Sequence, residues 1–258
     1  MIALVLAAGF IVNVASDLPE EGQDRFDALQ RSAREAYQEG ALPQALEYYD
    51  LMQEMVPESG EVAYNRGSIL LDLGQYEDAV QAFTEAEGLE FEQDFKQASL
   101  YHNRATGYTA LGEYDRALFD YDRAYDIDPE DARILNNRGV VLLRLGDRDE
   151  AIRSFEFARE LDPGYADPVF HLGTISYDEE EYEIAVSLFS DVLEIDANYG
   201  DARFNKGNAL YHAGRYRDAL EEFLYLHRED PENEDVLVNL GLSALAAASG
   251  EPGNDDDS

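Results

Sequence analysis

The stretch NRGVVLLRLGDRDEAIRSFEFARELDP, residues 137–163, shares a pattern of residues with an earlier stretch, NRATGYTALGEYDRALFDYDRAYDIDP, residues 103–129. The two stretches have equal length, and their first positions, 103 and 137, differ by 34. Both open with Asn-Arg, carry Leu-Gly in the middle, place an alanine five residues after that glycine, and end in Asp-Pro. A fixed period of this kind indicates a structural repeat, in which one supersecondary unit occurs several times along the chain.

Three marker residues recur along the chain in this rhythm. An alanine returns at steps of 34, 38, 34, 34 and 34 along the chain, at Ala45, Ala79, Ala117, Ala151, Ala185 and Ala219. An aromatic residue stands four positions after each alanine, at Tyr49, Phe83, Tyr121, Phe155, Phe189 and Phe223. A glycine in the middle of the unit falls at Gly40, Gly74, Gly112, Gly146 and Gly214, and Glu180 fills the remaining slot.

Each unit has the pattern of two helices. In the fourth unit, apolar and small residues stand at i, i+4 and i+7 twice, which is the spacing of one helical face. The first set is Leu135, Gly139 and Leu142, and the second is Ala151, Phe155 and Ala158. Gly146 separates the sets, since glycine takes the left-handed conformation that ends a helix. Pro163 cannot continue the second helix, so we expect a helix pair in which small residues allow close approach.

This combination of features resembles the tetratricopeptide repeat (TPR) family. The resemblance covers six repeats, at residues 26–59, 60–97, 98–131, 132–165, 166–199 and 200–233, followed by a capping helix at 234–249. It implies an all-α fold, a right-handed superhelical solenoid of antiparallel helix pairs. One such pair cannot bury its apolar face alone, and stacking successive pairs does so.

A few positions depart from the family pattern. Arg148 replaces the usual tyrosine, Ala197 replaces the terminal proline, and Phe91 occupies the proline slot of the second repeat. The second repeat also has four extra residues within EGLEFEQDFK, residues 87–96. These residues either lengthen one helix by a turn or change the path of the superhelix.

The charge balance is strongly acidic. Fifty-six acidic residues stand against nineteen basic ones, which gives a formal net charge of −37. Such a chain repels nucleic acid and anionic lipid, so neither is expected as a partner of the surface as a whole. The charge fits a protein from a salt-accumulating organism and equally an ordinary acidic protein. The chain has no cysteine, which excludes disulfides and thiolate chemistry.

The two ends of the chain differ from the repeats. Residues 1–16, MIALVLAAGFIVNVAS, contain no charged side chain. This segment predicts a secretory signal peptide, a short membrane anchor or an apolar segment folded onto the first repeat. As a signal peptide it would place the mature protein in the periplasm or cell envelope, and otherwise the protein would be cytoplasmic. The tail at 250–258 is acidic, and we expect it to be disordered.

Catalytic motifs are missing from the sequence. The four histidines, His102, His171, His212 and His227, form no HExxH motif and no i, i+4 pair. The glycine-rich loops that bind phosphate groups are also missing. We therefore predict no enzyme activity, no metal site and no cofactor.

An asparagine recurs in the first helix of most repeats. The positions are Asn65, Asn103, Asn137, Asn205 and Asn239, with His171 in the slot of the fifth repeat. The family resemblance places this slot on the concave surface. A side-chain amide offers one acceptor and two donors, so a row of amides can bind peptide backbone. Alternatively, these asparagines hydrogen-bond to neighbouring helices and bind no ligand.

Further residues are expected in the same groove. The apolar and aromatic ones are Tyr64, Phe170, Tyr177, Phe204 and Tyr211, and the basic ones include Arg133 and Arg144, which would favour an acidic residue in a ligand. Arg66, Arg104, Arg138 and Lys206 each follow one of the asparagines. We expect these four to form salt bridges with carboxylates that end the preceding repeat, such as Asp128 or Asp230, because their charges would otherwise lie unpaired among packed helices.

These features predict a non-catalytic adaptor that binds an extended segment of another protein in the concave groove. The partner's identity and the oligomeric state stay open. A structural role is the alternative, in which the array assembles with itself or braces a cell-envelope complex through its ends and convex face. The apolar segment 1–16 would then allow an association with a membrane.

Overall fold

The computed structural model of the chain describes residues 18–89 and 95–249. The apolar segment 1–16 and the tail 250–258 lie outside these residues, as do positions 90–94 of the extra stretch, including Phe91. No helix within the described ranges is both long and apolar enough to span a lipid bilayer.

Thirteen α-helices and no β-strand form in the described part of the chain. Six of them are first helices of a repeat: α1 (Glu20–Gln38), α3 (Gly60–Asp72), α5 (Phe95–Ala110), α7 (Ala132–Leu145), α9 (Ala166–Asp178) and α11 (Gly200–His212). Their second helices are α2 (Leu42–Met55), α4 (Tyr76–Glu87), α6 (Tyr114–Ile127), α8 (Arg148–Leu161), α10 (Tyr182–Ile195) and α12 (Tyr216–Glu229), and α13 (Glu234–Ser249) follows alone. The predicted all-α repeat array is confirmed.

Two helices begin earlier than the predicted repeat boundaries. Helix α1 begins at Glu20, ahead of residue 26, and α5 begins at Phe95, ahead of residue 98. The early start of α5 places part of the extra stretch of the second repeat in a lengthened helix.

The chain divides into two compact units. Within the described residues, the first unit comprises residues 18–89, 95–130 and 141–146, and the second comprises residues 131–140 and 147–249. Within the first unit, α1 to α6 each pack on the next helix along the chain, and α3 also contacts α5. Within the second unit, α8 to α13 do the same, and the first helices α9, α11 and α13 form a contiguous row.

The two helices of a repeat approach closely where a glycine faces an aromatic ring. A Cβ atom added to Gly139 would lie 2.6 Å from the ring of Phe155. Gly67, Gly173 and Gly207 meet Phe83, Phe189 and Phe223 in the same way, at 2.7–2.9 Å. A real side chain there would force the helices apart, because carbon atoms make favourable contact only near 3.5–4.0 Å. The small residues at these positions therefore set the distance within each pair, as the sequence predicts.

The recurrent alanines and aromatic residues form the interior of both units. All six alanines of the repeat rhythm are 0% exposed, and the six aromatic residues that follow them are buried. In the second unit, the recurrent residues of the last two repeats belong to one apolar cluster with Val169, Val192, Leu210 and Val236; they are Ala185, Phe189, Ala219 and Phe223. Burial of this apolar surface, at about 25 cal/mol per Å², is the main term that holds the stacked helices together.

Tight turns connect the two helices of each repeat. The amide of Gln75 donates to the carbonyl of Leu70 at 2.9 Å, and the amide of Gly74 donates to Leu71 at 3.0 Å. This pair of bonds is a Schellman motif, which needs a residue with positive φ. Gly74 has a φ of 73°, and Glu180 takes a φ of 62° in the same motif of the fifth repeat. The glycines that recur at the repeat period therefore lie in the turns, and Glu180 adopts a conformation that glycine favours.

Candidate functional site

In the first unit, the predicted groove residues on α3 are largely buried. Tyr64 is 8% exposed and Asn65 is 1% exposed, and Glu61 and Ser68 on the same helix are also buried. Asn103 of α5 is half-buried and donates to the Tyr64 hydroxyl at 3.1 Å. The structure thus brings Tyr64 and Asn103 into contact. The predicted groove residues of α3 expose little surface to solvent.

The two basic residues of the predicted groove have different surroundings. Arg144 is exposed in the last turn of α7 and belongs to the first unit. Arg133 is exposed near the start of α7 in the second unit, where its guanidinium contacts Asp131 at 2.9 Å and 2.6 Å. A carboxylate of the chain itself therefore faces the charge of Arg133.

In the second unit, neutral polar side chains form a row across successive first helices. Asn137 of α7, His171 of α9, Asn205 of α11 and Asn239 of α13 stand one repeat period apart and are half-buried. His171 stacks on Phe155 with ring centroids 4.9 Å apart, and burial lowers the pKa of its imidazole. A neutral imidazole has one donor and one acceptor, so His171 offers the same kinds of group as an amide.

Aromatic side chains accompany this row. Phe170 and Phe204 are half-buried on α9 and α11, one position before His171 and Asn205. Phe170 stacks on Tyr199 at 5.1 Å between centroids, and Tyr211 packs edge-on against Tyr216 at 5.3 Å. Tyr177 contacts His212 at 5.7 Å. These ring contacts hold the aromatic side chains in place while part of each surface stays open.

Sequence reasoning missed the apolar residues that continue this surface on α13. Val238, Leu242 and Leu245 are 61%, 46% and 69% exposed. They stand one repeat period after Phe204, Asn208 and Tyr211. The repeat period could have found them, but within the seventh copy, which was assigned as a capping helix, only Asn239 was predicted to lie in the groove.

An acidic residue occupies the second position of α9, α11 and α13. These residues are Asp167, Asp201 and Asp235, again one repeat period apart. The Tyr199 hydroxyl donates to Asp167 at 3.0 Å. The pKa of the Tyr199 hydroxyl is raised, first by burial and then by the charge of this carboxylate. The second unit thus carries three parallel rows, which we call the acidic row (Asp167, Asp201, Asp235), the amide row (Asn137, His171, Asn205, Asn239) and the apolar row (Phe170, Phe204, Val238).

The bases beside the asparagines form salt bridges, but not with the predicted partners. Arg66 contacts Asp50 at 2.6 Å and Lys206 contacts Glu222 at 2.8 Å. Arg138 donates to Ser154 at 2.9 Å and lies 3.6 Å from Glu150. Arg104 contacts Asp120 at 2.6 Å and Glu87 at 2.5 Å. All these partners lie within second helices. The choice of Asp128 and Asp230 was wrong, because the packing of the helices places other carboxylates beside the bases.

No metal site accompanies these rows. Among residues 18–89 and 95–249, no group of three or more histidine, aspartate or glutamate side chains could hold a metal ion.

Family comparisons agree with this architecture. Models described as "Tetratricopeptide repeat" match residues 31–91, 132–165, 170–234 and 204–250, and one described as "TPR repeat" matches residues 107–146. The chain belongs to the tetratricopeptide repeat family, whose members bind protein or peptide partners and are generally non-catalytic scaffolds. A comparison with curated proteins finds no similar sequence.

Solved structures share the fold at low sequence identity. A tetratricopeptide repeat protein from Parabacteroides merdae is 19% identical with a TM-score of 0.68, and the match covers 87% of this chain and 88% of that one. PilF of Pseudomonas aeruginosa is 16% identical with a TM-score of 0.70, covering 86% and 100%. YrrB, described as a TPR protein with an unusual peptide-binding site, is 24% identical with a TM-score of 0.55, covering 70% and 92%.

Proposed function

We propose that this protein is a non-catalytic adaptor that binds an extended segment of another polypeptide across α9, α11 and α13. The observation that carries the proposal is the amide row beside the apolar row. Both recur at the repeat period on adjacent helices of the second unit.

The chemistry of the two rows suits a peptide. Amide and neutral imidazole groups can donate to carbonyls and accept from N–H groups of any sequence, so they recognise backbone. Phe170, Phe204 and Val238 offer apolar surface for one or two side chains, and burial of a large apolar side chain contributes about 1.5–3 kcal/mol. The backbone contacts would supply general affinity, and the apolar row would supply selectivity.

The likeness to YrrB supports the proposal at the level of the fold. YrrB is described as having a peptide-binding site, and it shares the helix-pair architecture of this chain. The assignment of residues in this chain rests on its own rows.

The test is a peptide selection against the full chain, followed by titration of the selected peptides. Phe204→Ala and Asn205→Ala should each weaken binding about tenfold, because each removes one contact worth on the order of 1.4 kcal/mol. Phe157→Ala on α8 is the matched control, since Phe157 is exposed and lies outside the three rows. Equal affinity in all variants, with unchanged helical circular dichroism, would refute the proposal.

A second candidate is self-association through α13. Gly241 is the counterpart of Gly67, Gly139 and Gly207, but nothing lies within 4 Å of a Cβ atom added there. In this reading a helix of a second copy would pack where the other repeats have a second helix. Sedimentation at several concentrations separates the two functions, because a strict monomer excludes self-association.

We also propose a cellular location from the sequence of residues 1–16. An apolar stretch without charge that ends in small residues fits export to the periplasm or cell envelope. Mass determination of the N-terminus of the protein isolated from its own cells tests this proposal. A full-length N-terminus on the isolated protein would contradict cleavage.

A further inference from the structure

We infer that the outer face of α13 binds an amphipathic helix of another protein, in the place that a second helix takes within each repeat. The outer face is the surface formed by Leu237, Gly241 and Ala244, all of which are exposed. These residues are distinct from the amide and apolar rows, so this surface is additional to the proposed groove. Its partner is helical, whereas the groove binds an extended segment.

The outer face of α13 is one half of an interface that is complete in the other repeats. Gly241 has the same place in α13 as Gly139, Gly173 and Gly207 have in α7, α9 and α11. A Cβ atom added to any of those three glycines would lie 2.6–2.8 Å from a phenylalanine ring of the second helix. Nothing lies within 4 Å of a Cβ atom added to Gly241. The surface of α13 therefore has room for an aromatic ring at this glycine.

The residues on either side of Gly241 show the same difference. Leu237 is 42% exposed, whereas its counterpart in α9, Val169, is 2% exposed. Ala244 is also exposed, whereas its counterpart in α11, Leu210, is 1% exposed. Val169 and Leu210 belong to the apolar cluster that contains the recurrent alanines and aromatic residues of the last two second helices. These positions are exposed in α13 because no described helix follows it.

The composition of α13 is unusual for the end of a repeat array. Its residues 236–249 include no charged side chain, although 29% of the whole chain is charged. The terminal repeat of a solenoid needs a polar outer face to stay soluble. Contiguous apolar surface on a folded protein indicates an interaction site. The apolar outer face therefore indicates that a partner covers this end of the array.

The second helices of the chain define the chemistry that fits this face. The rings that cover the glycines of α7, α9 and α11 belong to Phe155, Phe189 and Phe223. An alanine precedes each ring by four positions, and an apolar residue follows it by three. This spacing places all three side chains on one helical face. A partner helix with Ala-x-x-x-Phe on its apolar face would place its ring over Gly241, and its alanine would allow close approach.

A second copy of the chain has no second helix free for this role. The six recurrent alanines are 0% exposed and the aromatic residues that follow them are buried, so each second helix is used within its own copy. Two copies with a net charge of −37 each also repel one another. The chain ends lack the signature, since Phe10 follows Leu6 at this spacing and residues 250–258 contain no aromatic residue. The helix therefore comes from another protein.

The experiment offers a second helix to the full chain as a separate peptide. The probe is a fluorescent peptide of residues 148–161, the sequence of α8, whose three arginines and four acidic residues nearly balance. Anisotropy should show saturable binding. A peptide of the same composition with Ala151 and Phe155 exchanged should bind about tenfold more weakly or worse, because its ring no longer meets the glycine. Equal affinity of the two peptides, or no binding of the α8 peptide, would overturn the inference.

A matched pair of variants tests whether Gly241 receives the ring. Gly241→Leu fills the open space and should weaken binding of the α8 peptide about tenfold or more. Gly200→Leu on α11 is the control, because nothing lies within 4 Å of a Cβ atom added there either. It should leave the affinity unchanged. Equal effects of the two substitutions, with unchanged helical circular dichroism, would contradict the assigned site.

Hydrogen exchange locates the bound peptide. Binding should slow amide exchange within residues 234–249, since packing of a helix suppresses local opening. Protection confined to α7 would show that the peptide had displaced α8 from its own repeat, and the inference would then be wrong. Sedimentation of the free chain should show a monomer. A dimer that Gly241→Leu dissociates would assign the face to a second copy and overturn the choice of another protein.

The outcomes for this surface and for the groove are distinguishable. If the α8 peptide fails to bind while selected extended peptides respond to Phe204→Ala, the helix site is wrong and the groove function stands. If the α8 peptide binds and responds to Gly241→Leu while no extended peptide responds to Phe204→Ala, the groove function is wrong and the helix site stands.

Discussion

Glu180 shows how one residue departs from the repeat without changing the fold. It fills the glycine slot of the fifth repeat and takes a φ of 62°, the one positive φ outside glycine in residues 18–89 and 95–249. Its amide donates to Tyr177, and the next amide donates to Ser176, as in the other turns. The turn therefore forms with glutamate, against the steric preference of a residue that has a Cβ atom.

Replacing Glu180 by glycine should stabilise the protein by about 1 kcal/mol. The left-handed conformation costs an L-residue roughly 1–2 kcal/mol, and part of the gain is offset by the greater freedom of glycine in the unfolded chain. Urea unfolding followed by circular dichroism measures the difference.

The matched control for this prediction is Gly214→Ala. Gly214 has a φ of 80° in the sixth repeat, so alanine there should destabilise the protein. A loss of stability in Glu180→Gly would contradict this account of the turn.

At the scale of the helix pair, the distance between helices depends on glycines that face aromatic rings. Gly139 and Gly241 occupy equivalent positions in α7 and α13. Gly139 is covered by Phe155, whereas Gly241 has open space where a second helix lies in the other repeats. Packing against the aromatic ring therefore requires a glycine in α7, whereas α13 has room for a side chain at the equivalent position.

Alanine substitutions should separate the two environments. Gly139→Ala should destabilise the protein by about 1–3 kcal/mol, because the added methyl group overpacks against Phe155. Gly241→Ala should stabilise it by up to about 1 kcal/mol, because alanine has the higher helix propensity and meets no neighbour. Thermal and urea unfolding of both variants provide the measurement, and two changes of the same sign would refute the interpretation.

Ion pairs at this scale show why partner choice needs coordinates. Arg104 is buried and joins Glu87 and Asp120, which belong to the second helices of two repeats. The sequence indicates that a base beside the asparagine needs a carboxylate. The carboxylate itself is selected by how the helices pack, and the acidic composition offers many candidates at similar sequence distances.

At the scale of the whole molecule, the net charge of −37 opposes the compact state. Charges of one sign repel each other more strongly when the chain is folded than when it is extended. Even complete pairing of the nineteen basic residues would relieve only part of this repulsion, because there are fifty-six acidic residues.

The midpoint of thermal unfolding should therefore rise as NaCl is increased from about 0.05 M to about 1 M. The screening length falls to about 3 Å at 1 M, which removes most repulsion between exposed carboxylates. A variant with Glu156→Lys, Glu160→Lys and Glu194→Lys should respond less to salt, since these three exposed side chains would then offset part of the charge. A midpoint that falls with salt in the natural chain would contradict the prediction.

The sequence by itself determined the helix pairs, the positions of most turns and the family. These features follow from local rules, because each repeat unit contains its own helical faces, its turn residue and its helix end. It also predicted the residues of the amide row, since a periodic chain places equivalent positions on equivalent surfaces.

Only the tertiary structure decided which of these positions are exposed to solvent. Asn65 and Tyr64 are buried on α3, whereas Val238 and Leu245 of the last helix are exposed. The guanidinium of Arg133 forms a salt bridge with Asp131, while Asp201 and Asp235 have no basic partner among the described residues. Exposure and charge pairing depend on side chains from other helices, and sequence spacing within one repeat carries no information about them.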